Sequence, residues 1–264
     1  HASGRIFQEA HYLALAPIQT DLFFDGQVKV AGPASKALGA FFTPTPLVRT
    51  LAEQSLNRVD LKSKRIHVFD PACGSGEFLR EAVRQLALRG YKGQVKVTGY
   101  DISAPACLMA RFGLAAEAAT FCGSLTINIE LRDALDGQEW VSGVDVCLMN
   151  PPFVAWIDMT ASQRETVSRV LGDTHAKRPD MASAFVRLAV DSLLPSALIG
   201  AVLPASFLDG SSSARLREFL LQSTTVELSA RLGNQAVFMD VTVDPALLIL
   251  KRHASVPAVD PTLL

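Results

Sequence analysis

A charge of one dominant sign is missing from this sequence. Its 264 residues carry 25 Lys and Arg against 26 Asp and Glu, a formal net charge of −1. No overall field therefore draws in a polyanion, and a nucleic-acid partner would have to be met by a local basic surface or by another domain. Cysteine is scarce as well. Cys73, Cys107, Cys122 and Cys147 are widely spaced and form no Cys-x-x-Cys pair, which argues against a zinc site or a disulfide framework and for free thiols in a reducing compartment. No metal site is expected. A long apolar run is lacking too: the longest uncharged stretch, 192–208, is broken by Pro195, Pro204 and several serines, whereas a membrane span needs about 20 mainly apolar residues. That stretch reads as a helix end, a loop and a buried strand. The first residues form neither a charged nor an apolar leader region, and no repeat or low-complexity tract is visible, so a cytoplasmic protein is the expectation.

What is present is a 49% hydrophobic composition with 17 Gly and 14 Pro, enough for one large soluble core. Short β-rich apolar runs alternate with helical periodicity, the pattern of a parallel sheet covered by helices. Residues 66–69 read as a strand, 70–76 as a glycine-bearing turn and 77–89 as a helix stopped by Gly90. A second strand over 95–100 ends at Asp101, and Ser103 with Pro105 starts a helix running to about residue 117. Alternation over 126–131 predicts a third strand with Ile127, Ile129 and Leu131 on one face. Residues 144–149 form a buried strand stopped by Asn150-Pro151-Pro152, because consecutive prolines cannot continue a ladder. A helix over 181–194, a strand over 199–203, a helix over 214–221 and strands over 226–230 and 246–250 complete the series, while the more polar stretch 157–178 reads as a loop with a short helix.

The strongest chemical signal is Asp70-Pro71-Ala72-Cys73-Gly74-Ser75-Gly76-Glu77-Phe78, at a strand end and opening a helix. Glycines there let the backbone approach a ligand, and the helix N-terminus offers unpaired N–H groups, which suits a nucleotide-like cofactor. Asp101, at the end of the next strand, can accept hydrogen bonds from both ribose hydroxyls. An ordinary tight turn with Asp101 as a helix cap is the competing reading. Thr43, ahead of Pro44, reads on its own as a cap for the helix that begins there.

The Asp-Pro-Ala-Cys-Gly-Ser-Gly turn resembles that of S-adenosylmethionine-dependent methyltransferases, especially the enzymes that methylate amino groups of DNA. Asn150-Pro151-Pro152-Phe153 is similar to the Asn-Pro-Pro-Tyr/Phe signature of enzymes acting on a planar, conjugated nitrogen. Gly39-Ala40-Phe41-Phe42-Thr43-Pro44 resembles the Gly-x-Phe/Tyr-Phe/Tyr-Thr-Pro element of DNA adenine-N6 methyltransferases of the gamma arrangement, and the three motifs stand in that family's order. The resemblance implies an α/β class I methyltransferase, Rossmann-like fold with a seven-stranded, mainly parallel sheet and helices on both faces. It implies methyl transfer from S-adenosylmethionine, leaving S-adenosylhomocysteine, to the N6 amine of an adenine rotated out of double-stranded DNA, in a bacterial or archaeal restriction-modification or phage-defence system.

By the same resemblance, Asn150, Pro151, Pro152 and Phe153 are catalytic. Phe42, Thr43, Pro44, Asp70, Pro71, Ala72, Gly74, Gly76, Phe78, Asp101, Ile102, Asp133, Ala134 and Asn150 border the cofactor. Phe153 and Phe238 stack on the target base. One departure is Met149, where many relatives have Gly. The expected organisation is an N-terminal extension over 1–35, the catalytic domain over 36–252, and a linker or truncated end over 253–264. A target-recognition domain or subunit would then lie outside this chain. Lys177-Arg178 and the Arg215, Arg217 pair are candidates for touching phosphates. An RNA or protein-glutamine N-methyltransferase and a non-catalytic cofactor-binding subunit are the rival readings.

Overall fold

A computed structural model describes residues 43–232 and 244–253. The expected roles of Phe42 and Phe238, the extension over 1–35 and the end beyond residue 253 lie outside the described residues. The chain starts with helix α1 (Thr45–Leu56) and continues through β1 (Arg65–Asp70), α2 (Glu77–Leu88), β2 (Gln94–Asp101), α3 (Ala104–Ala118), β3 (Ser124–Leu131) and β4 (Val146–Met149). There follow α4 (Ala161–Leu171), α5 (Met181–Ser192), β5 (Leu198–Pro204), the one-turn α6 (Ser206–Asp209), α7 (Ala214–Ser223), β6 (Thr224–Arg231) and β7 (Pro245–Arg252).

The seven strands form one sheet in the order β3-β2-β1-β4-β5-β7-β6. β1, β2, β3, β4 and β5 pair in parallel, and β7 runs antiparallel to both of its neighbours. Two cores flank the sheet and alternate residue by residue along its central strands. Val68, Val146, Leu148 and Val202 join α1, α2 and α3 on one face. Phe69, Cys147, Met149, Ile199 and Leu203 join α4, α5 and α7 on the other. Strands buried on both faces must be apolar throughout, which is why 146–149 carries no polar residue until Asn150.

Between β1 and β4 the strand order reverses direction. Such a switch point opens a crevice beyond the carboxyl ends of the strands, where ligands bind in open α/β sheets. Asp70, Asp101, Asn150 and Pro204 lie at or just after the carboxyl ends of β1, β2, β4 and β5.

Three local expectations are corrected. The polar stretch 157–178 contains an 11-residue helix, α4, opened by a capping box in which Thr160 and Gln163 bond each other's backbone N–H. Only Val167 and Leu171 of α4 are buried, too few to give a visible apolar period. Leu131 is 59% exposed, because it ends edge strand β3 beyond the reach of the helices that cover Ile129. Thr43 does not cap α1: the N-cap is Pro44, with no side-chain bond to the helix. The four cysteines are free thiols, with Cys73, Cys107 and Cys147 buried. Among the described residues no helix is long and apolar enough to cross a membrane.

Candidate active site

The turn after β1 is tied to β2 by its backbone. Cys73 N donates to Tyr100 O at 2.8 Å, and Gly74 N donates to Asp101 Oδ2 at 2.8 Å. Asp101 Oδ1 also accepts from Ser103 N at 2.8 Å. The carboxylate thus fixes both the glycine turn and the entry to α3. The turn can lie this close to β2 only because residue 99 is glycine: a Cβ there would stand 2.8 Å from Cys73 Sγ.

Gly74 and Gly76 both adopt positive φ, 51° and 81°. Gly76 is the N-cap of α2, and a Cβ on it would meet Ala110 Cβ at 3.0 Å and Ala110 Cα at 3.2 Å. Strain and contact act together at this position. Gly76→Ala is therefore expected to lower unfolding stability by about 1–3 kcal/mol, read from the urea midpoint, and to disorder the turn that Gly74 shares with Asp101. A Cβ on Gly74, by contrast, would meet nothing within 4 Å, so the turn has open space beside its backbone.

Asp70 sits beneath this turn, 1% exposed. Its Oδ1 accepts from Ala72 N at 3.0 Å, and no cationic side chain pairs with it among the described residues' ion pairs. Burial pushes its pKa up to about 8, the charge of Asp101 adds to the rise, and the Ala72 N–H opposes it. Pro71, Gly76 and Phe78 are buried around it, and Ala72 is half-buried. On the far side of Asp101, Ile102 is 64% exposed. Arg132 N donates to Asp101 O at 2.9 Å, which brings Asp133 and Ala134 to the same rim. Asp133 Oδ1 accepts from Leu135 N at 2.8 Å. Trp140 Nε1 donates to Ala134 O at 2.8 Å and packs edge-on against Phe69, with centroids 5.3 Å apart, which anchors that loop.

Asn150 follows the last residue of β4, with buried Pro151 and half-buried Pro152 and Phe153 behind it. Its Nδ2 donates to Thr43 Oγ1 at 2.7 Å. Its Oδ1 is buried and has no hydrogen-bond partner among the described residues. Leaving such an acceptor unpaired costs on the order of 1–3 kcal/mol, so it is a favourable place for an external N–H to bind. Met149 is completely buried among the residues beneath the site, so its side chain turns into the core.

Beside Phe153 lies a cleft of about 260 Å³ whose lining includes Trp156, Arg178, Asp180, Pro204 and Ser206. Sequence reasoning passed over Asp180, Pro204 and Ser206. Their signals were available: Asp180 stands one residue ahead of a periodic helix, and Pro204 closes a buried strand. Asp180 Oδ1 accepts from Ser183 N at 2.9 Å and Ser183 Oγ at 2.7 Å, and burial raises its pKa. Of the basic candidates, Lys177 and Arg178 are exposed. Arg217 is committed elsewhere, donating to Phe207 O at 2.9 Å and Gly210 O at 2.8 Å, and Arg215 donates to His175 O at 3.3 Å. Among the described residues no cluster of His, Cys, Asp or Glu could hold a metal ion.

A switch-point crevice carrying a glycine turn and strand-end acids defines a class I methyltransferase fold. A solved protein of Listeria monocytogenes described as a class I S-adenosylmethionine-dependent methyltransferase superposes with a TM-score of 0.60 at 20% identity, over 95% of this chain and 68% of that one. The chain belongs to the N-6 DNA Methylase family, whose model matches residues 28–262. Type II methyltransferase M.BanIII of Aneurinibacillus aneurinilyticus is 25% identical over 215 residues, 77% of this chain and 37% of its own length. Type II methyltransferase M.VspI of a Vibrio species is 27% identical over 191 residues, 72% of this chain and 43% of its own. The chain thus spans well under half the length of these relatives.

Proposed function

We propose that this chain is the catalytic part of a restriction-modification methyltransferase that transfers a methyl group to the N6 amine of adenine in DNA. The observation that carries the reading is the buried, unpartnered Oδ1 of Asn150. An exocyclic amine donates its lone pair into the ring and is a poor nucleophile. Acceptors for its two N–H bonds keep electron density on nitrogen, and Asn150 Oδ1 and the Pro151 carbonyl are suited to that task. Preorganised where positive charge develops, they need no reorganisation during transfer. The prolines restrict the backbone that carries them.

S-adenosylmethionine fits the residues beside this group. Its sulfonium supplies an electrophilic methyl, and its cationic character suits a turn built over the buried Asp70. Asp101 would take the ribose hydroxyls, and Asp133 and Ala134 the adenine edge, with Ile102 covering the ring. Phe42, Pro44, Pro71, Ala72, Gly74, Gly76 and Phe78 would complete the cofactor's surroundings. The cleft beside Phe153 would receive the extruded base. Extrusion costs a few kcal/mol, offset in part by stacking on Phe153 and, in this reading, on Phe238.

A near-neutral chain is compatible with DNA work if duplex affinity resides in a recognition domain or subunit beyond it, since phosphate neutralisation supplies most of the non-specific binding. The test is transfer of labelled methyl from S-adenosylmethionine to adenine-containing duplex, RNA and a glutamine-bearing protein, with this chain alone and within its full-length protein. Label on adenine N6 in duplex is the expected result. Label confined to RNA or protein would overturn the substrate, and no label from the full-length protein would overturn the activity.

A further inference from the structure

The Asn150 side chain has to present its oxygen, not its NH₂, to a substrate amine, and nothing in the rigid Asn-Pro-Pro backbone dictates that. Pro151 and Pro152 fix their own φ angles, but the plane of the Asn150 amide turns about its terminal torsion, which is intrinsically broad and two-fold. A half-turn would aim Nδ2 at the amine, donor against donor. Some group must therefore accept from Nδ2 while Oδ1 faces the substrate. Thr43 is placed to do so: its hydroxyl accepts from Nδ2 at 2.7 Å across a sequence separation of 107 residues, and since a hydroxyl can also donate, the contact holds the amide plane while the substrate's own N–H selects the oxygen. Thr43 is itself 8% exposed. It is free of the helix-capping duty its sequence suggests, because α1 takes no side-chain bond at its N-cap.

We propose that Thr43 is a positioning residue for methyl transfer, acting through its hydroxyl on the Asn150 amide and not through the cofactor. This rests on the reading of Asn150 given above, and it changes the role expected of Thr43 from the motif alone. The hydroxyl meets Nδ2 in the reactive orientation and holds the amide plane, so that Oδ1 meets the amine in one geometry. A valine at this position has nearly the same shape, lacks the acceptor, and takes from Nδ2 the partner it has in the wild type. A serine keeps the acceptor.

The experiment compares wild type, Thr43→Val and Thr43→Ser in the full-length protein for kcat on adenine-containing duplex, KM for that duplex and calorimetric affinity for S-adenosylmethionine. Thr43→Val is expected to lower kcat about a hundredfold, the scale of loss that misplacement of a reacting group brings, with cofactor affinity unchanged and Thr43→Ser restoring most of the rate. Loss of cofactor affinity with kcat intact at saturating cofactor would assign the hydroxyl to the cofactor and overturn the proposal, as would wild-type kcat in Thr43→Val. A second readout is independent of turnover: the side-chain amide resonances of Asn150 in the isolated chain should shift in Thr43→Val and return in Thr43→Ser. Should the wild type methylate nothing, the activity reading fails on its own. The amide resonances then still decide whether Thr43 holds Asn150, and unshifted resonances in Thr43→Val would overturn the positioning.

Discussion

Asn150→Ala is expected to lower kcat for adenine methylation by about 10²–10³-fold, the range seen when one preorganised acceptor or donor is removed from a developing charge. Its effects on folding and on cofactor affinity should be small. Among the described residues the side chain makes one hydrogen bond, to Thr43, and its Oδ1 makes none. Truncation therefore removes an unpaired buried acceptor along with a single paired donor, and those contributions oppose each other. β4 holds its place without Asn150, because Val146, Cys147, Leu148 and Met149 are completely buried and the strand pairs with β1 and β5. Single-turnover transfer of labelled methyl, together with calorimetric titration of S-adenosylmethionine, separates the two quantities. Transfer at the wild-type rate would remove Asn150 from the chemistry. A parallel collapse of cofactor affinity would make it part of the cofactor site instead. Asn150→Asp adds a discriminating case: it keeps acceptor oxygens but loses the donor that meets Thr43, so it should not recover the wild-type rate.

The parts of this site that were readable in the sequence are those whose cause is local. Gly74 and Gly76 advertise a turn because residues with a Cβ resist the positive φ each adopts. Asp70, Asp101 and Asn150 advertise strand ends because each follows or closes an apolar run. The parallel sheet followed from the alternation of β-rich runs with helical periodicity, since a helical crossover is what joins parallel strands. What was hidden arises between distant segments. The Thr43 to Asn150 bond joins the start of α1 to the end of β4, and the nearer local rule, a threonine ahead of a helix, pointed to a cap that does not form. Asp180 and Ser206 face one cleft because α5 and α6 begin on the same rim of the sheet, which no spacing encodes. Arg217 read as a candidate phosphate contact, but a carbonyl within α6, of Phe207, and one just after it, of Gly210, occupy it. Helix α4, expected as a short helix within a loop, had its length hidden for another reason. With two buried residues it has almost no apolar stripe, and its one local signature is the Thr160 to Gln163 capping box.

The second large effect concerns stability, and it sets Asp70 against the fold. Its carboxyl is buried, its pKa in the folded chain is raised from 3.8 to about 8 by burial first and by the charge of Asp101 besides. Between those values the folded chain holds a proton that the unfolded chain has released, so stability falls as pH rises through that window. Below it both states are protonated, and above it both are ionised with the loss complete. Full ionisation would cost on the order of a few kcal/mol. An asparagine keeps an oxygen for the Ala72 N–H, which Asp70 Oδ1 meets at 3.0 Å, and carries no charge. Asp70→Asn should therefore match the wild type near pH 3, below the window, and exceed it by a few kcal/mol near pH 9, measured as the difference between urea midpoints across that range without cofactor. His67 and Asp180 also carry shifted pKa values from burial. They are common to both proteins and cancel in the difference. A carboxyl that weakens the fold is retained where function uses it, and a cationic cofactor would favour the ionised form. Asp70→Asn should accordingly bind S-adenosylmethionine more weakly, and the affinity gain expected of the wild type from pH 6 to pH 9 should flatten. Superimposable stability curves for the two proteins would mean that Asp70 is not held protonated, and the link between its charge and the cofactor would fall with it.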